Sequence, residues 1–104
     1  MDMITKERLA KTRQTDKESA GLRLKAARRA AGLSLEELGQ IAGLKKATIS
    51  NAENGHAYPG RGLMIVLFRE YQIDFNFLIH GEFHQLPGHV QDKLFRALSS
   101  LNSE

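Results

Sequence analysis

Residues 34–55 read SLEELGQIAGLKKATISNAENG, a stretch that predicts two short helices joined by a tight turn. Ser34 followed by Glu37 is the pattern of a capping box, which begins a helix by providing partners for its first backbone N–H groups. Gly43 and Gly55 are expected to end the two helices, because glycine adopts a left-handed backbone at little cost. The first helix should carry apolar residues along one face: Leu35, Leu38, Ile41 and Ala42.

The second helix of this stretch is predicted over residues 45–54, with Ile49 and Ala52 facing inward and Leu44 plugging the turn. Gly39 weakens the first helix because it lacks a side chain, so a close approach of the second helix is the expected reason for it. Two short helices with such a turn fit a helix-turn-helix, whose second helix enters the major groove of DNA.

This motif and its flanks resemble the XRE-type, lambda/Cro-repressor-like family of helix-turn-helix DNA-binding domains. The resemblance covers about residues 21–82, more than half of the sequence, and rests on separate pieces in the right order. These pieces are GLRLKAARRAAGLSLEEL, the Gly43 turn, ATISNAENG, Pro59 and IDFNFLIHGE. It implies an all-α, compact bundle of about five short helices that contains the helix-turn-helix; periodicity adds a C-terminal amphipathic helix.

Residues 1–14 predict a flexible basic arm, because they combine scattered charges and few apolar residues with no clear period. Such an arm could lie along DNA phosphates or reach a minor groove, or it could act only as a solubilising tail. Its basic residues are Lys6, Arg8, Lys11 and Arg13.

Residues 15–82 form the predicted DNA-binding domain. Its first helix should begin at a capping box of Thr15 and Glu18 and continue to about Ala31, before Gly32.

An apolar run, LMIVLF, occupies residues 63–68 and is expected to be helical as far as residue 71. Since it is apolar around the whole helical circumference, it must be covered on more than one side, and it is our first candidate for a dimer interface. Asp74 is the expected N-cap of a short helix that ends near Gly81.

Residues 83–104 form a predicted extension with an amphipathic helix over residues 89–101. Its apolar stripe could pack on its own domain, pair with a second copy or dock another protein, and the pattern does not choose among these. The stripe consists of Val90, Leu94, Leu98 and Leu101.

Positions that match the family's recognition helix supply the expected DNA contacts. Lys46 could donate to guanine O6 or N7, Asn51 could bind adenine N6 and N7, and Ala47 could touch a thymine methyl group. Further contacts to phosphates or base edges are expected from Lys25, Arg29, Lys45, Thr48, Ser50, Asn54 and Arg61. The family's usual glutamine at position 35 is replaced by Leu35, which puts a side-chain phosphate contact there in doubt.

Lys45 and Lys46 break a local rule at the start of the second helix, where the family usually has a Ser or Thr cap at position 45. A lysine cannot accept the capping hydrogen bond, and two cations oppose the positive end of the helix dipole. A DNA phosphate or a guanine edge would offset this cost; otherwise these are two solvated lysines. The resemblance also implies that Arg28 and Glu53 form a structural ion pair inside the domain.

Composition excludes several classes of protein. The 104 residues suit one domain, and the absence of cysteine excludes disulfides and cysteine-ligated zinc. No apolar run is long enough to span a bilayer and no signal core is visible, so we expect no membrane association and a cytoplasmic location. The net charge is +3, and residues 17–33 carry five basic residues against one acid, which suits a polyanion or merely a solvated helix face.

The sequence therefore predicts a sequence-specific regulator of transcription that binds double-stranded DNA. We expect a repressor that binds an inverted-repeat operator as a homodimer through residues 45–54. The alternative is an antitoxin or adaptor whose main role is to bind a partner protein through the stripe of the C-terminal helix. No enzyme activity, cofactor or metal is expected. His80, His84 and His89 look like ligands, but Gly81 interrupts the helix that would bring them together, cysteine is absent and no base–nucleophile pair is evident.

Overall fold

The computed structural model describes residues 1–104 and contains seven helices and no strand. The helices are α1 (Met3–Ala10), α2 (Lys17–Ala30), α3 (Leu35–Ala42), α4 (Lys46–Glu53), α5 (Arg61–Tyr71), α6 (Phe75–His80) and α7 (Gly88–Asn102). The predicted all-α fold with a helix-turn-helix is confirmed, α3 and α4 being the two motif helices. None of the seven helices is both long enough and apolar enough to cross a membrane.

The predicted capping box of α3 is present. Ser34 Oγ accepts a hydrogen bond from the Glu37 backbone N–H at 3.0 Å, and Glu37 Oε1 accepts one from the Ser34 N–H at 2.9 Å. Gly43 ends the helix with φ 68°, in the left-handed region, as expected. Asp74 caps α6 as predicted, because its Oδ1 accepts the Phe77 N–H at 2.9 Å.

The predicted start of α2 is wrong by one residue. Asp16, not Thr15, is the N-cap, and its carboxylate accepts hydrogen bonds from the Ser19 N–H at 3.1 Å and the Ser19 hydroxyl at 2.7 Å. An anionic cap suits the positive end of the helix dipole better than a hydroxyl does.

Helix α2 is the central element, since it packs on α4, α6 and α7. It meets α4 at Gly21, where an added Cβ would lie 2.5 Å from the Ala52 carbonyl oxygen. A side chain at position 21 would therefore push the second motif helix away from the core. The buried residues that α2 contributes to the hydrophobic core are Ala20, Leu24, Ala26 and Ala27.

The N-terminal segment differs from the flexible arm that its composition predicts. Residues 3–10 form α1, which packs on α7, and Leu9 and Ala10 are buried. The buried Arg23 side chain donates hydrogen bonds to backbone carbonyls at the end of α1 and in the loop that follows it. The segment is ordered because distant residues provide an apolar surface and hydrogen-bond donors that its own sequence lacks.

Helix α7 is present where a C-terminal amphipathic helix was predicted, and its apolar stripe packs on its own domain. Val90, Leu94 and Leu98 are buried in the core that α7 shares with α2. Of the three arrangements left open by the sequence, the structure therefore selects the first. An antitoxin or adaptor partner cannot dock through this stripe without unfolding the helix from the core.

The turn between α3 and α4 differs from the prediction in two details. Leu44 and Ile41 are exposed, so neither plugs the turn nor faces the core as expected. Gly39 is required by the backbone of the turn and not by the second helix, because a Cβ there would lie 2.6 Å from the Leu44 carbonyl oxygen. Ile49 and Ala52 face inward as predicted.

The apolar run at residues 63–68 is helical, as predicted, and forms part of α5. The rest of the domain covers only part of the circumference of this helix. Leu63 and Leu67 are buried, whereas Ile65 and Phe68 are 37% and 57% exposed. These two side chains leave an apolar strip on the outer side of α5.

Candidate nucleic-acid interface

The tip of α4 is uncapped, as the two lysines predict. Lys45 is the N-cap residue, with an extended backbone of φ −72° and ψ 147°, and no side chain accepts a hydrogen bond from the first backbone N–H groups of the helix. Those N–H groups carry a partial positive charge, and the exposed side chains of Lys45 and Lys46 add two full positive charges at the same end of the helix. Such a helix start is suited to binding an anion.

Most of the DNA-contacting residues predicted in and around α4 are exposed. Since Ile49 and Ala52 are buried, the opposite side of the helix is exposed, and Ala47, Asn51 and Asn54 share it at helical spacing. Lys45, Lys46 and Thr48 are also exposed, whereas Ser50 is half-buried and accepts a hydrogen bond from Asn54 Nδ2 at 3.4 Å.

The far end of α4 is fixed to α2 by an ion pair between Arg28 and Glu53. Arg28 Nε and Nη2 donate to the two carboxylate oxygens at 2.6 and 3.0 Å, and Nη1 donates to the Leu33 carbonyl at 2.9 Å. The two side chains are only 11% and 5% exposed. Arg28 is thus a structural residue, as the resemblance implies, and it holds the second motif helix at a fixed angle to the domain.

Two cations of α2 were predicted to contact phosphates. Arg29 instead forms an ion pair with the Glu104 side chain, and its hydrogen bond, followed by the charges of Arg29 and Lys25, lowers the pKa of Glu104. Both cations thus lie close to the carboxylate that follows α7. The phosphate contacts predicted for Arg29 and Lys25 both stay predictions.

Arg61 is exposed at the first position of α5, and Leu35 is half-buried against the core at the start of α3. The DNA contact of Arg61 therefore also stays a prediction, and Leu35 is a packing residue.

One contact at the tip of α4 was missed by sequence reasoning. Lys46 Nζ lies 3.3 Å from Oε1 of Glu36, in the first turn of α3. The ten-residue separation matches no helical spacing, so only the relative placement of the two motif helices reveals the pair.

Two of the four histidines pack against aromatic rings. His80 packs edge-on against Phe75, and the ring of His84 stacks on Phe83 with centroids 4.6 Å apart. The structure brings no three His, Asp or Glu side chains into a group that could hold a metal ion.

Residues 24–78, more than half of the chain, match the model of the helix-turn-helix family HTH_3. The match extends from within α2 through both motif helices and α5 into α6. No curated protein and no solved structure matches the chain. The chain belongs to the HTH_3 family of XRE- and lambda-repressor-like helix-turn-helix proteins, which are DNA-binding regulators of transcription.

Proposed function

We propose that this protein is a sequence-specific repressor that binds an inverted-repeat operator in double-stranded DNA as a homodimer. The observation that carries the proposal is the uncapped, doubly cationic tip of α4, exposed at one end and fixed to α2 at the other. A rigid helix with unsatisfied donors at its exposed end gains most from an anionic partner.

The residues at the tip of α4 would make two kinds of contact: phosphate contacts that position the helix, and base contacts that discriminate among sequences. Lys45 and the free N–H groups of the first turn would bind a phosphate and set the register of the helix. Lys46 would then reach guanine O6 or N7, Asn51 would bind adenine, and Ala47 would contact a thymine methyl group. Each of these contacts requires a group that one base presents in the major groove, so the contact is lost when the base pair changes.

Repression would follow from occupancy of the operator. Two recognition helices related by a two-fold axis would enter successive major grooves about 34 Å apart and obstruct transcription. The second copy would meet the first at the apolar strip of α5, where Ile65 and Phe68 are exposed. An inverted repeat requires a symmetric contact, and a strip that pairs with itself provides one.

Selection of bound duplexes from a random DNA pool tests the proposal directly. We expect enrichment of an inverted repeat whose half-sites are centred one helical turn apart. A pool without enrichment would contradict sequence-specific binding. Enrichment of a single, asymmetric site would contradict the homodimer while leaving the reading of bases intact.

A further inference from the structure

Glu36 is the one carboxylate that contacts a proposed base-reading residue. Its Oε1 lies 3.3 Å from Lys46 Nζ, and the two side chains are 70% and 58% exposed. An ion pair this exposed contributes little to folding stability, because water screens it and both long side chains lose freedom. The fold therefore does not depend on the pair, and both charged groups can exchange partners when another molecule approaches.

Helix α3 does not need Glu36 for its cap. The Ser34 hydroxyl and the Glu37 carboxylate already bind the N–H groups at the start of the helix. Glu36 adds a second negative charge to that turn, which the helix dipole tolerates. Its carboxylate is thus available to Lys46 and to any molecule that approaches the tip of α4.

The Glu36 carboxylate should weaken the binding of a DNA phosphate by Lys46. Phosphate contacts supply most of the affinity for random DNA, and each one depends on a cation that is free to reach the backbone. Lys46 must leave Glu36 to bind a phosphate, and the abandoned carboxylate is then repelled by the same backbone.

We propose that Glu36 is a specificity-determining residue that restrains Lys46 until a G·C base pair is presented. In the major groove, guanine offers the O6 and N7 acceptors that suit the ammonium group, and cytosine offers an N4 amino donor that suits the carboxylate. A donor and an acceptor held side by side match both halves of this edge, whereas a phosphate satisfies only the lysine. This inference rests on the proposed function and describes how the same helix tip discriminates among sequences.

The substitution Glu36→Gln tests the inference, since it removes the charge and keeps the shape. Titrations should use the selected operator and a scrambled duplex of the same composition, at two or more salt concentrations. On scrambled DNA the variant should bind about two- to fivefold more tightly at low salt, with a log–log salt slope steeper by about 0.9. The ratio of operator to scrambled affinity should fall, and the fall should be concentrated at one G·C pair in each half-site.

Two further variants separate a local effect from a change in net charge. Asp92→Asn removes one exposed negative charge from α7, which packs mainly on α1 and α2, and it should leave the affinity ratio unchanged. In a Lys46→Gln background, Glu36→Gln should tighten binding to the scrambled duplex less than it does in the wild type, because the restraint on phosphate binding acts through the lysine. Equal melting temperatures of Glu36→Gln and the wild type would show that the fold is intact.

The outcomes distinguish the inference from the proposed function. If the wild type and Glu36→Gln discriminate equally well between the two duplexes, the inference is overturned and the proposed function stands. If the wild type fails to prefer any duplex, the proposed function is overturned and the inference falls with it.

Discussion

Arg23 is a buried cation that forms no ion pair with a carboxylate. Its fully buried side chain donates hydrogen bonds to five backbone carbonyls, those of Ala10, Lys11, Gln14, Leu78 and Ile79, at 2.7–3.0 Å. Most of these carbonyls belong to the C-terminal ends of α1 and α6, where the helix dipoles are negative. Burial lowers the pKa of Arg23 to about 10, so the guanidinium still keeps its proton at neutral pH.

We expect Arg23→Met to lower the free energy of unfolding by about 3–5 kcal/mol, because it leaves buried carbonyls without donors. Arg23→Lys should lose less, since an ammonium group keeps the charge but has only three donors. Urea unfolding of both variants measures the effect, with the exposed Arg69→Met as a control within about 0.5 kcal/mol of the wild type. If Arg23→Met unfolded at the same urea concentration as the control, the five hydrogen bonds would contribute nothing to stability.

Asn51 and Lys45 should respond differently to substitution, because one is proposed to read a base and the other to bind a phosphate. Asn51→Ala should relax discrimination at one base pair by about 1–3 kcal/mol. Lys45→Ala should weaken binding to all duplexes similarly and reduce the magnitude of the salt slope by about 0.9. Titrations of the operator and its single-base-pair variants check both. A uniform loss of affinity for Asn51→Ala would refute its role as a base reader.

The N-cap of α2 is Asp16, an ionisable residue, so the stability of the folded protein should depend on pH. The Ser19 hydroxyl, followed by the Ser19 backbone N–H, lowers the pKa of Asp16 by binding its ionised carboxylate. A carboxyl whose pKa is lower in the folded than in the unfolded state stabilises the fold above its unfolded pKa of 3.8. This contribution is lost as the pH falls through the lowered pKa of the folded state.

We expect Asp16→Asn to flatten the decline in stability between about pH 5 and about pH 3, because asparagine caps the helix without titrating. Unfolding in urea across this range measures the slope. Ser19→Ala is the matched test, since loss of the hydroxyl should move the pKa of Asp16 back toward 3.8 in an NMR titration. An unchanged Asp16 titration in Ser19→Ala would mean that the hydroxyl is not the main cause of the shift.

The sequence predicted those parts of the molecule whose partners lie within one helical turn. The Ser34–Glu37 capping box and the Gly43 turn are examples, because each is complete within a few residues. Contacts between distant residues were not predicted. For example, Arg23 donates hydrogen bonds to the carbonyls of Leu78 and Ile79, more than 50 residues away. The order of α1 could not be inferred for the same reason, since α7 covers it.

The candidate interface likewise contains some features that the sequence predicts and others that it does not. The exposed face of α4 follows from helical periodicity, because Ile49 and Ala52 fix the inward side and so assign the outward one. The Arg28–Glu53 ion pair is predicted by the family resemblance but not by helical periodicity. The Lys46–Glu36 ion pair is predicted by neither. Both pairs depend on the angles between helices, which side-chain periodicity does not encode.

The proposed homodimer would depend on Phe68, whose ring is 57% exposed on the outer side of α5. In a symmetric dimer the substitution Phe68→Ser removes the ring twice, and losing about 1.5 kcal/mol of apolar burial per copy weakens self-association by about 100-fold. Sedimentation velocity should show a folded monomer that binds a single half-site like the wild type and the full operator more weakly. Ile4→Ser, which removes an exposed apolar side chain from α1, should remain dimeric. In the proposed complex, dimerisation would join two weak half-site contacts into one operator complex, so a Phe68→Ser variant that stayed dimeric would contradict an interface on α5.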